Sequence, residues 1–308
     1  RVFVALLLSI AHLVAFCKRG LTMRLLDLFC GAGGAAMGYY RAGFTDIVGV
    51  DDLLRRAVTT PKPSILEPWL NRVHQGDCLD LMSKMPALSL DLIVTSPPYN
   101  IKNSTGNGLK DGRGGKWKNA GLIEGYDTHD DAMPHEKYVE WQRRCLDAMM
   151  RLLKPTGAIF YNHKWRVQGG LLQDRHDIVD GFPVRQIIIW QRSGGLNFNP
   201  GYFLPTYEVI YLIAKPEFVL APKANAVGDI WRITQDGTNP HPAAFPVELA
   251  QRCIKSTTAE VVLDPFFGSG TTAIAAELAE RSWIGLEISP NYCKVAHERI
   301  LAHQRGYA

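Results

Sequence analysis

The feature that most constrains this chain is a pattern that occurs twice. Asp27-Leu28-Phe29-Cys30-Gly31-Ala32-Gly33 and Asp264-Pro265-Phe266-Phe267-Gly268-Ser269-Gly270 both read D-x-F-x-G-x-G. Each follows a short apolar run, Arg24–Leu26 or Val261–Leu263, and each leads into small residues that read as a helix. A second apolar run then ends on an acid: Ile47 to Asp51 in one copy, Trp283 to Glu287 in the other. Strand, glycine loop, helix, strand and terminal acid form the plan of a nucleoside-binding half-fold. The glycines let backbone approach a ligand, the helix start offers unpaired N–H groups, and the acid is placed for ribose hydroxyls.

The rest of the chain builds around the second copy. Between Ala57 and Asn71 lie Pro61, Pro63 and Pro68, which break both helix and ladder, so this stretch reads as a linker. Beyond it, apolar runs predict seven strands, near Arg72–Gln75, Leu90–Thr95, Ala158–Tyr161, Arg185–Trp190, Glu208–Ala214, Val261–Leu263 and Ser282–Leu286. Helices are expected over His135–Leu153, Pro246–Lys255, Thr271–Glu280 and Pro290–Ala302. The first shows an apolar stripe at Tyr138, Trp141, Cys145, Met149 and Leu152 and is stopped by Lys154-Pro155-Thr156-Gly157. The expected fold class is therefore α/β: a doubly wound, Rossmann-like, mostly parallel seven-stranded sheet over residues 72–308. Residues 23–56 are left over as a partial β-α-β fragment. A chain of 308 residues has room for one large α/β domain with a small appendage.

Val2 to Cys17 is almost continuously apolar and is followed by Lys18 and Arg19. That is short for a membrane span and lacks the basic start and small-residue cleavage site of a secretory signal. With Met23 just ahead of a strand-like run, residues 1–22 read as a non-native or leader segment upstream of a start at Met23; a weak membrane anchor is the competing reading. The net charge of +4 fits a polyanionic partner without demonstrating one. Six scattered cysteines with no Cys-x-x-Cys point away from a zinc site or disulfide framework and toward a reducing cytoplasm. No metal is expected.

Chemistry enters with Asp91 to Asn100, where an apolar strand runs straight into Ser96-Pro97-Pro98-Tyr99. In an open α/β sheet ligands bind beyond the carboxyl ends of the strands, where this turn lies. Two prolines without N–H groups leave a stiff turn rich in carbonyl acceptors beside an aromatic ring. Ser96 Oγ and the Pro97 carbonyl can accept from a planar –NH2 while Tyr99 stacks on its ring. An exocyclic amine of a nucleobase is a poor nucleophile, because its lone pair is delocalised. Holding its hydrogens on two fixed acceptors favours a more tetrahedral nitrogen, which is preorganisation rather than base catalysis.

Downstream, Lys102, Lys110, Arg113, Lys116 and Lys118 are interspersed with five glycines and a single acid, Asp111. This reads as a basic loop that closes on DNA phosphate, with a merely solvated loop as the alternative. Trp190–Gly195 and Lys223–Asn239 are candidates for reading flanking sequence. His163 and Trp165 follow a strand end and either line the pocket or pack.

Ser96-Pro-Pro-Tyr99 resembles the (D/N/S)-P-P-(Y/F) signature of amino methyltransferases, and Asp264–Thr272 resembles that family's S-adenosylmethionine loop. With Ser-Pro-Pro-Tyr first and the glycine loop near the C-terminus, the order resembles the circularly permuted β group of DNA amino methyltransferases. The resemblance covers about Asn71 to Tyr307. His241–Pro246 precedes the loop as the family's cofactor-flanking segment does, Gly76-Asp77 stands where the family contacts adenine, and Pro205-Thr206-Tyr207-Glu208 opens a late strand as in many members. The resemblance implies S-adenosyl-L-methionine as cofactor, held by Asp77, Phe245, Asp264, Phe266, Gly268, Ser269, Gly270, Thr271, Thr272 and Glu287. It implies Ser96, Pro97, Pro98 and Tyr99 as the catalytic turn acting on cytosine N4 or adenine N6 of a flipped base in double-stranded DNA. A cognate restriction endonuclease is the partner such enzymes suggest, and a monomer or homodimer the assembly. RNA or a protein amide as acceptor, or an inactive DNA-binding relic, remain the alternatives.

The N-terminal copy, Asp27–Gly34 with Ala42-Gly43-Phe44, resembles the first motif of DNA cytosine-C5 methyltransferases. That chemistry needs a nucleophilic cysteine in a Pro-Cys turn, and no cysteine here follows a proline, so C5 methylation is not expected. A truncated remnant is the preferred reading. The other is a working cofactor site at Gly31–Gly34 and Asp51 with the C-terminal loop decayed.

Overall fold

The structure, a computed structural model, describes residues 65–100, 133–168, 170–192, 200–235 and 244–306, together with four strand backbones at 4–9, 12–19, 22–27 and 46–49. The chain divides into two compact units, residues 1–64 and 65–308. The first carries a four-stranded sheet in sequence order: β1 Val4–Ser9, β2 His12–Arg19, β3 Thr22–Asp27 and β4 Asp46–Gly49. β1, β2 and β3 pair antiparallel, and β3 and β4 pair parallel with Asp27 opposite Gly49. β3 and β4 are the two strands of the leftover half-fold, and a crossover between parallel strands is what a β-α-β unit requires. The stretch read as a leader supplies β1 and β2. Gly31–Gly34 and Asp51 lie outside the described residues.

The second unit opens at Ile65, so the end of the stretch read as a linker folds with it. Leu66 is buried, and its carbonyl accepts from the N–H groups of Trp69 and Leu70 in a single turn. There follow β5 Arg72–Gln75, α1 Cys78–Lys84, β6 Leu90–Thr95, α2 His135–Leu152, β7 Leu153–His163, β8 Arg166–Gln168, β9 Leu171–Gln173 and α3 His176–Val179. β10 Val184–Gln191, β11 Tyr207–Ala214, β12 Ile230–Arg232, α4 Val247–Lys255, β13 Val261–Asp264, α5 Thr271–Glu277, β14 Ser282–Glu287 and α6 Pro290–Gln304 complete it. The seven expected strands are all present. An eighth, the three-residue β12, extends the edge beside β10, giving the order β12-β10-β11-β7-β6-β13-β14-β5. β7, β6, β13, β14 and β5 run parallel, and β11 is antiparallel to both β7 and β10.

Alternation along the strands feeds two cores. Leu92, Val94, Phe160, Ile210, Leu212 and Val262 face α4, α5 and α6. Ile93, Ile159, Tyr161, Val209, Leu263 and Leu286 face α1 and α2. The Lys154–Gly157 stretch does stop α2, yet it is also the start of β7. Lys154 Nζ sits 2.6 Å from Asp91 Oδ1, while Asp91 Oδ2 accepts from the N–H groups of Glu260 and Val261. One carboxylate thus ties the amino ends of β6, β7 and β13 together. Among the described residues no helix is long and apolar enough to cross a membrane, and no group of three or more His, Cys, Asp or Glu could hold a metal ion.

The sheet fixes where a ligand goes. From β13 the chain crosses through α5 to β14 on one side. From the adjacent β6 it crosses through α2 to β7 on the other. The connections leaving these neighbouring carboxyl ends diverge, which opens a crevice there.

Candidate active site

Both motifs end at that crevice, and a hydrogen bond joins the strands that carry them. Thr95 Oγ1, on the last residue of β6, donates to Asp264 Oδ1 at 2.7 Å. Asp264 is buried, and its other partners come from its own loop: Phe266 N–H reaches Oδ1 at 3.1 Å and Thr272 Oγ1 reaches Oδ2 at 2.6 Å. Burial pushes this carboxyl up to about 6, against the downward pull of Thr272, Thr95 and the Phe266 N–H. Asp264 therefore acts as a clasp between the loop, the helix after it and the Ser-Pro-Pro-Tyr strand.

The glycine loop is shaped by its backbone. Gly268 and Gly270 have φ of 53° and 82°, the left-handed region that glycine enters without a Cβ penalty. Gly268 N–H donates to Glu287 Oε2 at 2.7 Å, and Ser289 N–H donates to Oε1 at 2.8 Å. The acid at the end of β14 is thus held in one orientation beside the loop. Phe266 and Phe267 diverge. Phe266 packs edge-on against Trp141 of α2 at 5.7 Å, whereas Phe267 is buried and stacks on Trp283 at 5.4 Å and 15°. Arg299 of α6, which the sequence reading missed, reaches back to the loop: its Nη1 donates to Ser269 O at 2.8 Å, Ser269 Oγ at 3.1 Å and Thr271 Oγ1 at 3.2 Å. Its one sequence signal is an arginine on the helix following the terminal acid.

Asp77 caps α1, its Oδ1 accepting from Leu79 and Asp80 N–H groups. Gly76 N–H donates to Glu287 O at 2.9 Å, so Asp77 and Glu287 end neighbouring strands at the same rim. Phe245 is buried in the core on the α4 side, one residue before the Pro246 that caps α4.

The Ser96–Tyr99 turn is braced from behind. The Pro98 carbonyl accepts from Tyr138 Oη at 2.8 Å and Gln142 Nε2 at 3.3 Å, both on α2. Tyr161 Oη donates to Gln142 Oε1 at 2.6 Å, and His163 Nε2 lies 2.8 Å from Tyr138 Oη. His163 also tilts against the Tyr99 ring at 4.9 Å, so it belongs with the turn. Trp165 instead donates to Tyr211 Oη. Asn100 closes the turn at φ 53° and donates to Met133 O at 2.8 Å. In front, Ser96 Oγ and Tyr99 Oη lie 2.7 Å apart, and Asn162 and Glu208 join them.

Trp190, offered above as a reader of flanking sequence, is a core residue. It is buried and donates to the Ile233 carbonyl at 2.8 Å, because β10 turns that face inward. Arg192 pairs with Glu208 at 3.5 Å. Residues 193–199 and 236–243, and with them His241, lie outside the described residues. So do Lys102, Lys110, Arg113, Lys116 and Lys118.

Both the sequence and the fold have known relatives. Residues 90–298 match the N6/N4 family model described as a DNA methylase. The type II methyltransferase M.BglII of Bacillus subtilis is 29% identical over 275 residues, covering 74% of this chain and 68% of that protein. M.HinfI of Haemophilus influenzae, also a type II methyltransferase, is 26% identical over 263 residues, covering 76% and 69%. A Thermus thermophilus protein, TTHA0409, described as a candidate DNA modification methylase and solved in complex with S-adenosyl-L-methionine, superposes with TM-score 0.54 at 27% identity over 75% of this chain and 93% of that one. The cytosine-N4-specific PvuII DNA methyltransferase shares the fold, with TM-score 0.56 at 19% identity over 76% and 91%. Since the family match spans more than half of the residues and contains both motifs in permuted order, the chain belongs to the N6/N4 DNA methylase family, as a β-group amino methyltransferase.

Proposed function

We propose that this protein methylates the exocyclic amine of a DNA base, cytosine N4 or adenine N6, flipped out of the helix against Ser96–Tyr99. S-adenosyl-L-methionine is the cofactor, and it supplies an electrophilic sulfonium methyl group. The residues fit it. Gly268 and Gly270 remove side chains where backbone must come close, and Glu287, a buried acid held by two N–H groups, keeps further acceptor capacity for vicinal hydroxyls. Asp77 shares that rim and suits a nucleoside's polar edge.

The chain's own residues do the rest. Ser96 Oγ and the Pro97 carbonyl accept the two amine hydrogens, which turns the nitrogen lone pair out of the ring plane. The Tyr99 ring holds the base face. Taking a base out of the stack costs a few kcal/mol, on the order of what one stacking contact and two hydrogen bonds return. Lys102, Lys110, Arg113, Lys116 and Lys118 are proposed to neutralise phosphates. The observation that carries this reading is the 2.7 Å Thr95–Asp264 bond, which brings the amine-binding turn and the glycine loop to one crevice.

The test is Tyr99→Ala. Methyl incorporation into unmethylated genomic DNA should fall at least tenfold, while calorimetric affinity for the cofactor stays within about twofold. Equal losses in both would remove the base-stacking role. Sequencing DNA from expressing cells for N4-methylcytosine and N6-methyladenine then assigns the base and its site.

A further inference from the structure

Beside the Ser96 and Tyr99 hydroxyls lies a buried carboxylate that the reaction as described leaves unused. Glu208, the second residue of β11, is 6% exposed. Its Oε2 accepts from Tyr99 Oη at 3.1 Å and from Asn162 Nδ2 at 3.0 Å, and its Oε1 faces Arg192 Nη1 at 3.5 Å. Asn162 Nδ2 also lies 2.8 Å from Tyr99 Oη and 3.3 Å from Ser96 Oγ. The chain Ser96–Tyr99–Glu208 is thus continuous, with contacts of 2.7 and 3.1 Å.

Counting hydrogens gives this chain a direction. An ionised carboxylate can only accept, and each hydroxyl has one hydrogen. The Tyr99 hydrogen must go to Glu208, since turning it toward Ser96 would set two oxygen lone pairs against each other inside the protein. Tyr99 Oη is left as an acceptor, and the Ser96 hydrogen goes to it. Ser96 Oγ then has no hydrogen to point at the crevice and presents lone pairs only. That polarity is what an incoming –NH2 requires; with the opposite one, a hydroxyl hydrogen would face the amine hydrogens.

We infer that Glu208 is a positioning residue: through Tyr99 it fixes the Ser96 hydroxyl as a pure acceptor for the target amine, with Asn162 and Arg192 holding the carboxylate in place. This rests on the amine-binding role of Ser96 proposed above.

The experiment is a double-mutant cycle on the single-turnover rate of methyl transfer to unmethylated genomic DNA, with cofactor affinity measured in parallel. Glu208→Gln keeps the shape but can donate to Tyr99 and reverse the chain. It should slow transfer by about 10- to 100-fold and leave cofactor affinity within about twofold. In a Ser96→Ala background, where no hydroxyl needs orienting, the same change should cost less than about threefold. Tyr99→Phe, which cuts the chain while leaving Glu208 with Asn162 and Arg192, should follow the same pattern and serves if Glu208→Gln does not fold. An equal loss in both backgrounds, or no loss in the Ser96 background, makes Glu208 merely structural and overturns the inference. If Ser96→Ala alone transfers methyl at the wild-type rate, the amine-binding reading itself fails, and this inference with it.

Discussion

Gly285→Ala should disable the cofactor loop from beneath. Gly285 sits in β14 opposite Asp264 of β13. A Cβ there would stand 2.6 Å from Phe267 Cγ and Cδ2 and 2.7 Å from Cδ1. Cγ lies on the χ2 axis, so rotating the ring leaves its 2.6 Å clash in place. The ring must move by about 1 Å to regain ordinary contact. Trp283, stacked at 5.4 Å, blocks one direction, and the Phe267 N–H bond to Leu286 O at 3.0 Å anchors the backbone. Overpacking of this kind costs about 1–3 kcal/mol, and removing a glycine from the unfolded chain returns about 0.4–1 kcal/mol. The net loss of about 0–2.5 kcal/mol corresponds to a fall in Tm of up to about 5 °C for a domain of this size. Because Phe267 precedes Gly268, whose N–H holds Glu287, cofactor affinity should fall about tenfold or more by titration calorimetry. Adding Phe267→Leu should restore part of both quantities. If Gly285→Ala binds cofactor with wild-type affinity and melts at the wild-type temperature, the packing argument is wrong.

The clasp and its brace give two further expectations. Asp264 is raised from 3.8 to about 6 by burial. Its contribution to stability is therefore full below about pH 4 and is lost as pH rises through about 6, roughly 3 kcal/mol in all for values about 2 pH units apart. Urea unfolding at pH 4 and pH 7 should show that slope in the wild type, and Asp264→Asn should flatten it; an unchanged slope would mean that this carboxyl does not titrate as its burial demands. Arg299→Ala removes the brace from the Ser269 carbonyl and the Thr271 hydroxyl, and it should weaken cofactor binding several-fold with Tm lowered by only a few degrees. A wild-type binding isotherm for that variant would show that the loop holds its shape without α6.

Much of the architecture was legible because it depends on local pattern. The apolar runs Leu90–Thr95 and Val209–Ala214 announce strands, and the stripe on α2 announces its buried face. What escaped were elements whose partners are remote. β12 is only three residues long and exists through pairing with Ile189–Gln191 of β10. Trp190 looked like a surface reader next to Arg192 because nothing local says that β10 turns it inward. In the site, Ser96, Tyr99, Gly268 and Glu287 are visible as motifs, whereas Asn162 is a single polar residue near the end of an apolar strand, and Glu208 stands in the Pro205–Glu208 segment, which matches the family but gives that acid no role. Their signal is a charge or amide entering a run that otherwise buries every side chain. Only the register of β7 on β11, with Asn162 opposite Ile210, brings them to the same hydroxyls.

The two copies of D-x-F-x-G-x-G differ in the neighbours that the sequence supplies to each. In the second copy the loop is held by Thr272, eight residues after Asp264, and by the stack of Phe267 on Trp283. The corresponding positions of the first copy are Ala35, Cys30 and Ile47. Alanine has no hydroxyl to satisfy a buried carboxylate oxygen, and neither cysteine nor isoleucine can form a ring stack. The aspartate, the first phenylalanine and the glycines are therefore shared, and the partners that hold the second loop are not. A sequence with the glycines but without Thr272, Phe267 and Trp283 cannot make the side-chain contacts seen around Asp264, so cofactor affinity should follow those partners rather than the glycine pattern.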